Sequence, residues 1–218
     1  VESLESGLSA LMESQRLDES WCVVVVVTPE SVDGVWPTVT SVQANSLGSA
    51  ISVLATDNRS VREALSDCVF PVEYTLPAAM DSQTQWTTIF AHHLFITRRT
   101  IFVLAGTVVP QHWDARLVAA AQRAGDVVGV APLCVRHPMF SAFSDAAHKP
   151  GLAVDEIDQW LNDYVEGVEF TVPVMLGSCI LLQGDFWPDQ CRRVSSDRLL
   201  LAALRNGGKS LIATDRVY

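Results

Sequence analysis

Residues 21–27, WCVVVVV, form an apolar and mostly β-branched run with no polar position inside it. A strand with one wet face would alternate, so this run predicts a strand covered on both faces, as in a parallel sheet. Thr28-Pro29-Glu30 ends it. Ser31 can cap a helix that carries Val32, Val35, Trp36, Val39 and Val42 on one stripe. Residues 50–55 predict a second strand, with Thr56-Asp57-Asn58-Arg59-Ser60 at its carboxyl end. A short helix over 60–66 and a third strand over 69–74 follow.

The chain is organised around residues 100–125. A short apolar run at 101–104 leads to a turn at Ala105-Gly106-Thr107. Pro110 then falls in the first turn of a helical pattern, with Trp113, Leu117, Ala120 and Ala121 three and four apart. Proline suits a first turn, where its missing donor is not needed. The stretch reads as strand, turn, helix. Residues 126–135 predict another strand, with Gly129 able to admit a bulge. A loop over 136–153 precedes a helix over 155–164, with Ile157, Trp160, Leu161 and Tyr164 inward. Its Asp155, Glu156, Asp158 and Asp163 read as a solvated face. Residues 168–182 read as one or two strands, interrupted near Pro173 or Gly177. Ser195-Ser196-Asp197 precedes a stripe of Leu199, Leu200, Ala203 and Leu204, which Gly207-Gly208 ends, and 211–213 form a last strand. Asp197 is placed to cap that helix.

Two further helical patterns lie outside this alternation. Residues 3–14 hold Leu4, Leu8, Leu11 and Met12 on one face. Residues 76–98 turn helical, with Trp86, Ile89, Phe90, His93 and Leu94 inward, and Arg98-Arg99 falls at the helix carboxyl end, where cations are favoured. The whole predicts an α/β fold with a mostly parallel central sheet flanked by helices. Residues 1–18 are a terminal helix or linker, and 19–218 are one domain.

Ligands of such sheets bind beyond the carboxyl ends of the strands. That directs attention to residues 105–109 and to Thr28, Glu30 and Asp57. Asp57 either caps the next helix or a turn, or accepts hydrogen bonds from a base or ribose. Two βα units in succession suit a nucleotide-binding sheet, yet neither GxGxxG nor GxxxxGK[ST] occurs.

Composition narrows the partners. The net charge of −10 argues against broad contact with nucleic acid, although a small anion needs only local donors. The five cysteines include no CxxC pair, which removes a zinc knuckle or redox couple and reads as reduced thiols in a cytoplasmic setting. His92 and His93 are adjacent and point to different sides of a helix. His112, His137 and His148 show no ligand spacing, so no metal is expected on histidine. No apolar run reaches the length of a membrane span. The chain begins with Val and lacks a leader pattern, which reads as a piece of a larger protein.

The order of VVVVVTPE, ATDNRS, FVLAGTVVPQHW, LGSCILL, GDFW and SSDRLLLAALRNGGK resembles the inverting glycosyltransferases of family 2, over nearly the whole chain. The resemblance implies a GT-A fold that binds a nucleotide sugar or nucleoside diphosphate. It puts the nucleotide at Thr28, Glu30 and Asp57, with Gly106 and Thr107 beside the diphosphate. It likens Gly184-Asp185-Phe186-Trp187 to a segment near the acceptor, and Asp197 to the catalytic base. The sequence departs from that pattern where it matters most. The family's central strand ends in a DxD-like motif that holds a divalent metal, and here the same place reads Ala105-Gly106-Thr107. The first acid of the late pair is Ser196. The expectation is a glycosyltransferase-like module that has lost its metal carboxylate and its activity, with contacts to other domains or subunits. The alternative is a metal-independent inverting transferase. Its leaving diphosphate would need Arg59, Arg192, Arg193, Lys209 or free amides near Thr107 in place of the metal.

Overall fold

The computed structural model describes residues 21–47, 50–77, 89, 99–124, 127–132, 153–162, 169–171, 178–183 and 210–214. Among the described residues, eight strands form one sheet. They are β1 (Trp21–Val27), β2 (Ala50–Thr56), β3 (Val72–Leu76), β4 (Arg99–Leu104), β5 (Val127–Pro132), β6 (Glu169–Thr171), β7 (Cys179–Gln183) and β8 (Ser210–Thr214). Their order across the sheet is β3-β2-β1-β4-β7-β5-β8-β6. β7 runs antiparallel to both β4 and β5, β6 runs antiparallel to β8, and the other pairings are parallel. The described helices are α1 (Val35–Asn45), α2 (Arg59–Ala64), α3 (Trp113–Ala124) and α4 (Val154–Asn162).

The unalternating run at 21–27 is the centre of the sheet, and all seven of its residues are buried. Val23, Val25 and Val27 share one core with Val35, Val39 and Val42 of α1, Val61 of α2, and Leu117, Val118 and Ala121 of α3. Val24 and Val26 point to the opposite face by the strand's two-residue period, and they are buried as well. Fully burying a valine contributes about 1.5–3 kcal/mol, so β1 is the anchor for the elements on both sides. The bulge expected at Gly129 is present, as a register shift between Val127 and Gly129 where β5 pairs β8. The interrupted stretch at 168–182 is two strands, β6 and β7.

Several local expectations are corrected. Pro110 is not in a helix, because α3 begins at Trp113. Asn45, at the end of α1, takes the backbone groups that a helical turn would have used. Its Nδ2 donates to Val109 O at 2.7 Å, and its carbonyl accepts from His112 N at 2.8 Å. His112 then turns the chain into α3 at φ 55°. Ser31 gives no side-chain cap to the helix after it. A 3-10 turn at Val32–Gly34 comes before α1, which shifts the stripe so that Val35, Val39 and Val42 face inward and Trp36 is left 41% exposed. β3 starts at Val72, after Pro71, which has no donor for a ladder. Arg99 opens β4 opposite Trp21 and Gln183 rather than ending a helix.

The acidic side of α4 is solvated only in part, since Asp155 and Glu156 are exposed, Asp158 is not, and Asp163 lies outside the described residues. Asp158 is buried, and both its carboxylate oxygens lie 3.0 Å from Arg116 Nη1. Arg116 Nη2 also donates to Gln111 O at 3.0 Å, and Gln111 N donates to Asp155 at 3.2 Å. Glu156 accepts from Ala153 N at the helix start. Asp158 therefore docks α4 against the first turn of α3, and Asp155 ties it to the turn just before. Cys22 and Cys179 are buried and Cys68 is half-buried, and none of the three is in a disulfide. Ile89 is fully buried, as expected of its stripe. The patterns at 3–14 and 195–204, the rest of 78–98, Cys134, Cys191, His137 and His148 lie outside the described residues.

Candidate functional site

From β1 the chain steps outward to β2 and β3, then returns to lay β4 on the other side of β1. Crevices in α/β sheets open at such reversals, beyond the carboxyl ends of the two strands. Here those ends deliver Thr28 to Ser31 from β1 and Ala105 to Thr107 from β4. Asp57 follows β2, one strand further out.

The two strand exits are in direct contact. Gly106 N donates to Thr38 Oγ1 at 2.8 Å and to Gly34 O at 3.1 Å. The Thr38 hydroxyl donates in turn to Gly34 O at 3.0 Å. A Cβ on Gly34 would stand 2.5 Å from Gly106 Cα and 2.7 Å from Gly106 N. Glycine is required at 34 for that approach. Gly106 sits at φ +95°, and a Cβ there would meet nothing within 4 Å. The position that the resemblance assigns to a metal carboxylate thus faces open space and has no side chain to put there.

Most amides of this turn are committed within the protein. Ala105 N donates to Val26 O at 2.8 Å, Thr107 N to Leu104 O at 3.2 Å, and Val109 N to the Ser41 hydroxyl at 3.3 Å. With Gly106 N, four of the five amides from 105 to 109 have partners, so the free amides expected near Thr107 narrow to that of exposed Val108. The β1 exit is likewise closed on itself. Thr28, buried, donates its N–H to Ser31 Oγ at 3.0 Å, and the two hydroxyls lie 3.1 Å apart. Glu30 is exposed at the tip of this turn.

Asp57 is exposed and engaged. Its Oδ1 accepts from Arg62 Nε at 2.7 Å, and the Arg62 guanidinium lies 4.2 Å over the Tyr74 ring. The hydrogen bond from Arg62, opposed by desolvation and helped by the charge of Arg62, holds the Asp57 carboxyl below its ordinary value. A lowered carboxyl keeps this pairing at neutral pH and loses it as pH falls through the lowered value. The helix cap here is Asn58, whose Oδ1 accepts from Ser60 N at 2.9 Å. Asp57 therefore does not cap α2. Arg59 pairs with Glu63 at 2.8 Å.

Thr28, Glu30, Gly106 and Thr107 thus gather at the β1 and β4 exits, and Asp57 stands at the neighbouring one. Asp197, Gly184 to Trp187, Arg192, Arg193 and Lys209 lie outside the described residues. Sequence reasoning passed over Thr38 and Arg62. Thr38 had a signal, as a hydroxyl on the stripe of Val35, Val39 and Val42. Arg62 had none, since five residues from Asp57 is not a helix-face spacing.

Over 91% of its length the chain superposes on part of a crystal structure of GalNAc-T7 with UDP, GalNAc and Mn2+, at TM-score 0.60 and 13% identity. The chain spans 42% of that protein's length. A crystal structure of a mycobacterial protein matches at TM-score 0.54 and 13% identity, over 94% of this chain and 68% of the other. The fold is GT-A-like. CMP:2-keto-3-deoxy-manno-octonic acid synthetase complexed with CTP, at TM-score 0.49, 10% identity and coverage of 89% and 88%, is too loosely similar to bear on this. No family model matches the chain, and no curated protein matches it in sequence. Among the described residues, no group of three or more His, Cys, Asp or Glu could hold a metal ion, and no helix is long and apolar enough to cross a membrane.

Proposed function

We propose that the chain is a non-catalytic glycosyltransferase-like module of a larger protein, related to family 2, with a nucleoside-facing carboxylate and no grip on a metal diphosphate. Glycosyl transfer from a nucleotide sugar builds charge on the leaving diphosphate, and a metal or fixed donors must neutralise it. The observation that carries the reading is the β4 exit. Gly106 replaces the carboxylate, and the amides of Ala105, Gly106, Thr107 and Val109 already have partners. The nearby cations Arg59 and Arg62 are paired with Glu63 and Asp57.

What supports a retained nucleoside contact is Asp57, exposed at a strand end of a GT-A-like sheet, with Thr28 and Glu30 alongside on the resemblance. The module then acts through a nucleotide sugar or nucleoside diphosphate as a bound ligand, or through contacts with neighbouring domains. The alternative is a metal-independent inverting transferase that moves sugar to a hydroxyl, with Asp197 taking the acceptor's proton. The two part on turnover. The chain is incubated with nucleotide sugars and hydroxyl acceptors, and free nucleoside diphosphate is measured. The expected result is no release above background, for wild type and for Asp197→Asn alike. Release in wild type that Asp197→Asn abolishes would install the transferase, because an amide cannot take that proton.

A further inference from the structure

We infer that Arg62 is a built-in competitor for the nucleoside contact at Asp57, an autoinhibitory side chain that a ligand must displace. The inference rests on the proposed reading of Asp57 as a nucleoside acceptor, and it adds how that contact is regulated. A base or ribose would bring an N–H or O–H to the carboxylate. Arg62 Nε already supplies such a donor to Oδ1 at 2.7 Å. The arginine is steadied from a second side, since its guanidinium lies 4.2 Å over the ring of Tyr74 on β3. A guanidinium on an aromatic face loses less freedom on pairing than a free side chain would.

Both partners are half-exposed or more, at 51% and 59% of the side chain. The contact can therefore open without unpacking the core, as a displaceable stand-in must. It ties the carboxyl end of β2 to α2 and β3, and none of the three residues belongs to the closed turns at Gly34 and Gly106. Arg59, the other cation of this loop, is occupied by Glu63 and cannot replace Arg62 without breaking that pair.

The test uses the full chain and four metal-free probes, ADP, CDP, GDP and UDP, titrated by NMR against wild type, Arg62→Gln, Asp57→Ala and the double variant. Exposed pairs are weak, so Arg62→Gln should tighten the best-bound probe by about two- to fivefold. It should also let the Asp57 carboxyl titrate at higher pH, which shows that the pair was broken. Asp57→Ala should weaken binding, and the double variant should bind no better than Asp57→Ala. If Arg62→Gln binds equally or more weakly while Asp57→Ala still weakens binding, Asp57 is a nucleoside contact and Arg62 is not its competitor. If Asp57→Ala changes nothing in either background, or no probe binds to wild type or to Arg62→Gln, the nucleoside reading fails and the competitor with it.

Discussion

Asp114→Ala is expected to destabilise the protein by about 2–4 kcal/mol, the largest single loss that we anticipate. Asp114 has no exposed surface, although it sits in the first turn of a helix. Its Oδ2 accepts from Trp21 Nε1 at 3.0 Å and from Leu47 N at 2.8 Å, and its Oδ1 from Ala115 N at 2.9 Å. One carboxylate thus ties together the amino end of β1, the connection from α1 to β2, and the start of α3. Alanine would leave the Trp21 indole N–H buried with its acceptor gone. Leu47 is 40% exposed, so its amide can turn to water, and this is why the expected loss is not larger. For a chain of this size the loss corresponds to about 5–15 °C in Tm. Asp114→Asn, which keeps one acceptor oxygen, should fall between. The knot lies at the opposite end of β1 from Thr28, so any nucleotide affinity of the folded variant should be unchanged. A thermal or denaturant unfolding shift below about 0.5 kcal/mol, the range of ordinary surface changes, would contradict the role given to Asp114.

Gly34→Ala is the second large effect, and its sign is the informative part. Gly34 has φ −91° and ψ 1°, a conformation open to any residue. On backbone grounds alone alanine should stabilise by about 0.4–1 kcal/mol, by restricting the unfolded chain. The new Cβ would stand 2.5 Å from Gly106 Cα, a backbone atom with no rotamer to change. Forcing such a contact typically costs about 1–3 kcal/mol, so the clash wins and the variant should lose about 1–2 kcal/mol net. The β4 exit should move as well. Amide shifts at Gly106 and Thr107 are the local readout, and denaturant unfolding gives the free energy. A stabilised variant would mean that the two strand exits do not touch.

How far the sequence alone carries can be judged from particular residues. The run at 21–27 announced a central parallel strand because apolarity on both faces needs no partner to be named. The glycine at 129 announced its bulge for a similar local reason. The strand end at Asp57 followed from the βα pattern. What stayed hidden depends on contacts between distant segments. Asp158 looks like any solvated helix acid until α4 is docked on Arg116. Pro110 looks like a first-turn proline until Asn45 claims the backbone of Val109 and His112. Asp114 sits in a first turn, where acids are ordinary, and nothing nearby hints that Trp21 reaches it across 93 positions. At the site, that Gly106 stands where the resemblance to family 2 expects a carboxylate was legible from its place before Val108, Val109 and Pro110. The closure of that turn by Thr38 and Gly34 was not, since it needs α1 and β4 side by side.

The central claim is that the β4 exit cannot hold a metal diphosphate. Hard divalent cations require oxygen ligands, usually carboxylates, and Gly106 offers no carboxylate. Calorimetry of Mn2+ added to the wild-type chain, with and without UDP, tests this most directly. No saturable heat is expected beyond that of Mn2+ with UDP in buffer. Stoichiometric binding of Mn2+ at micromolar affinity, lost in Asp57→Ala or Asp197→Asn, would contradict it.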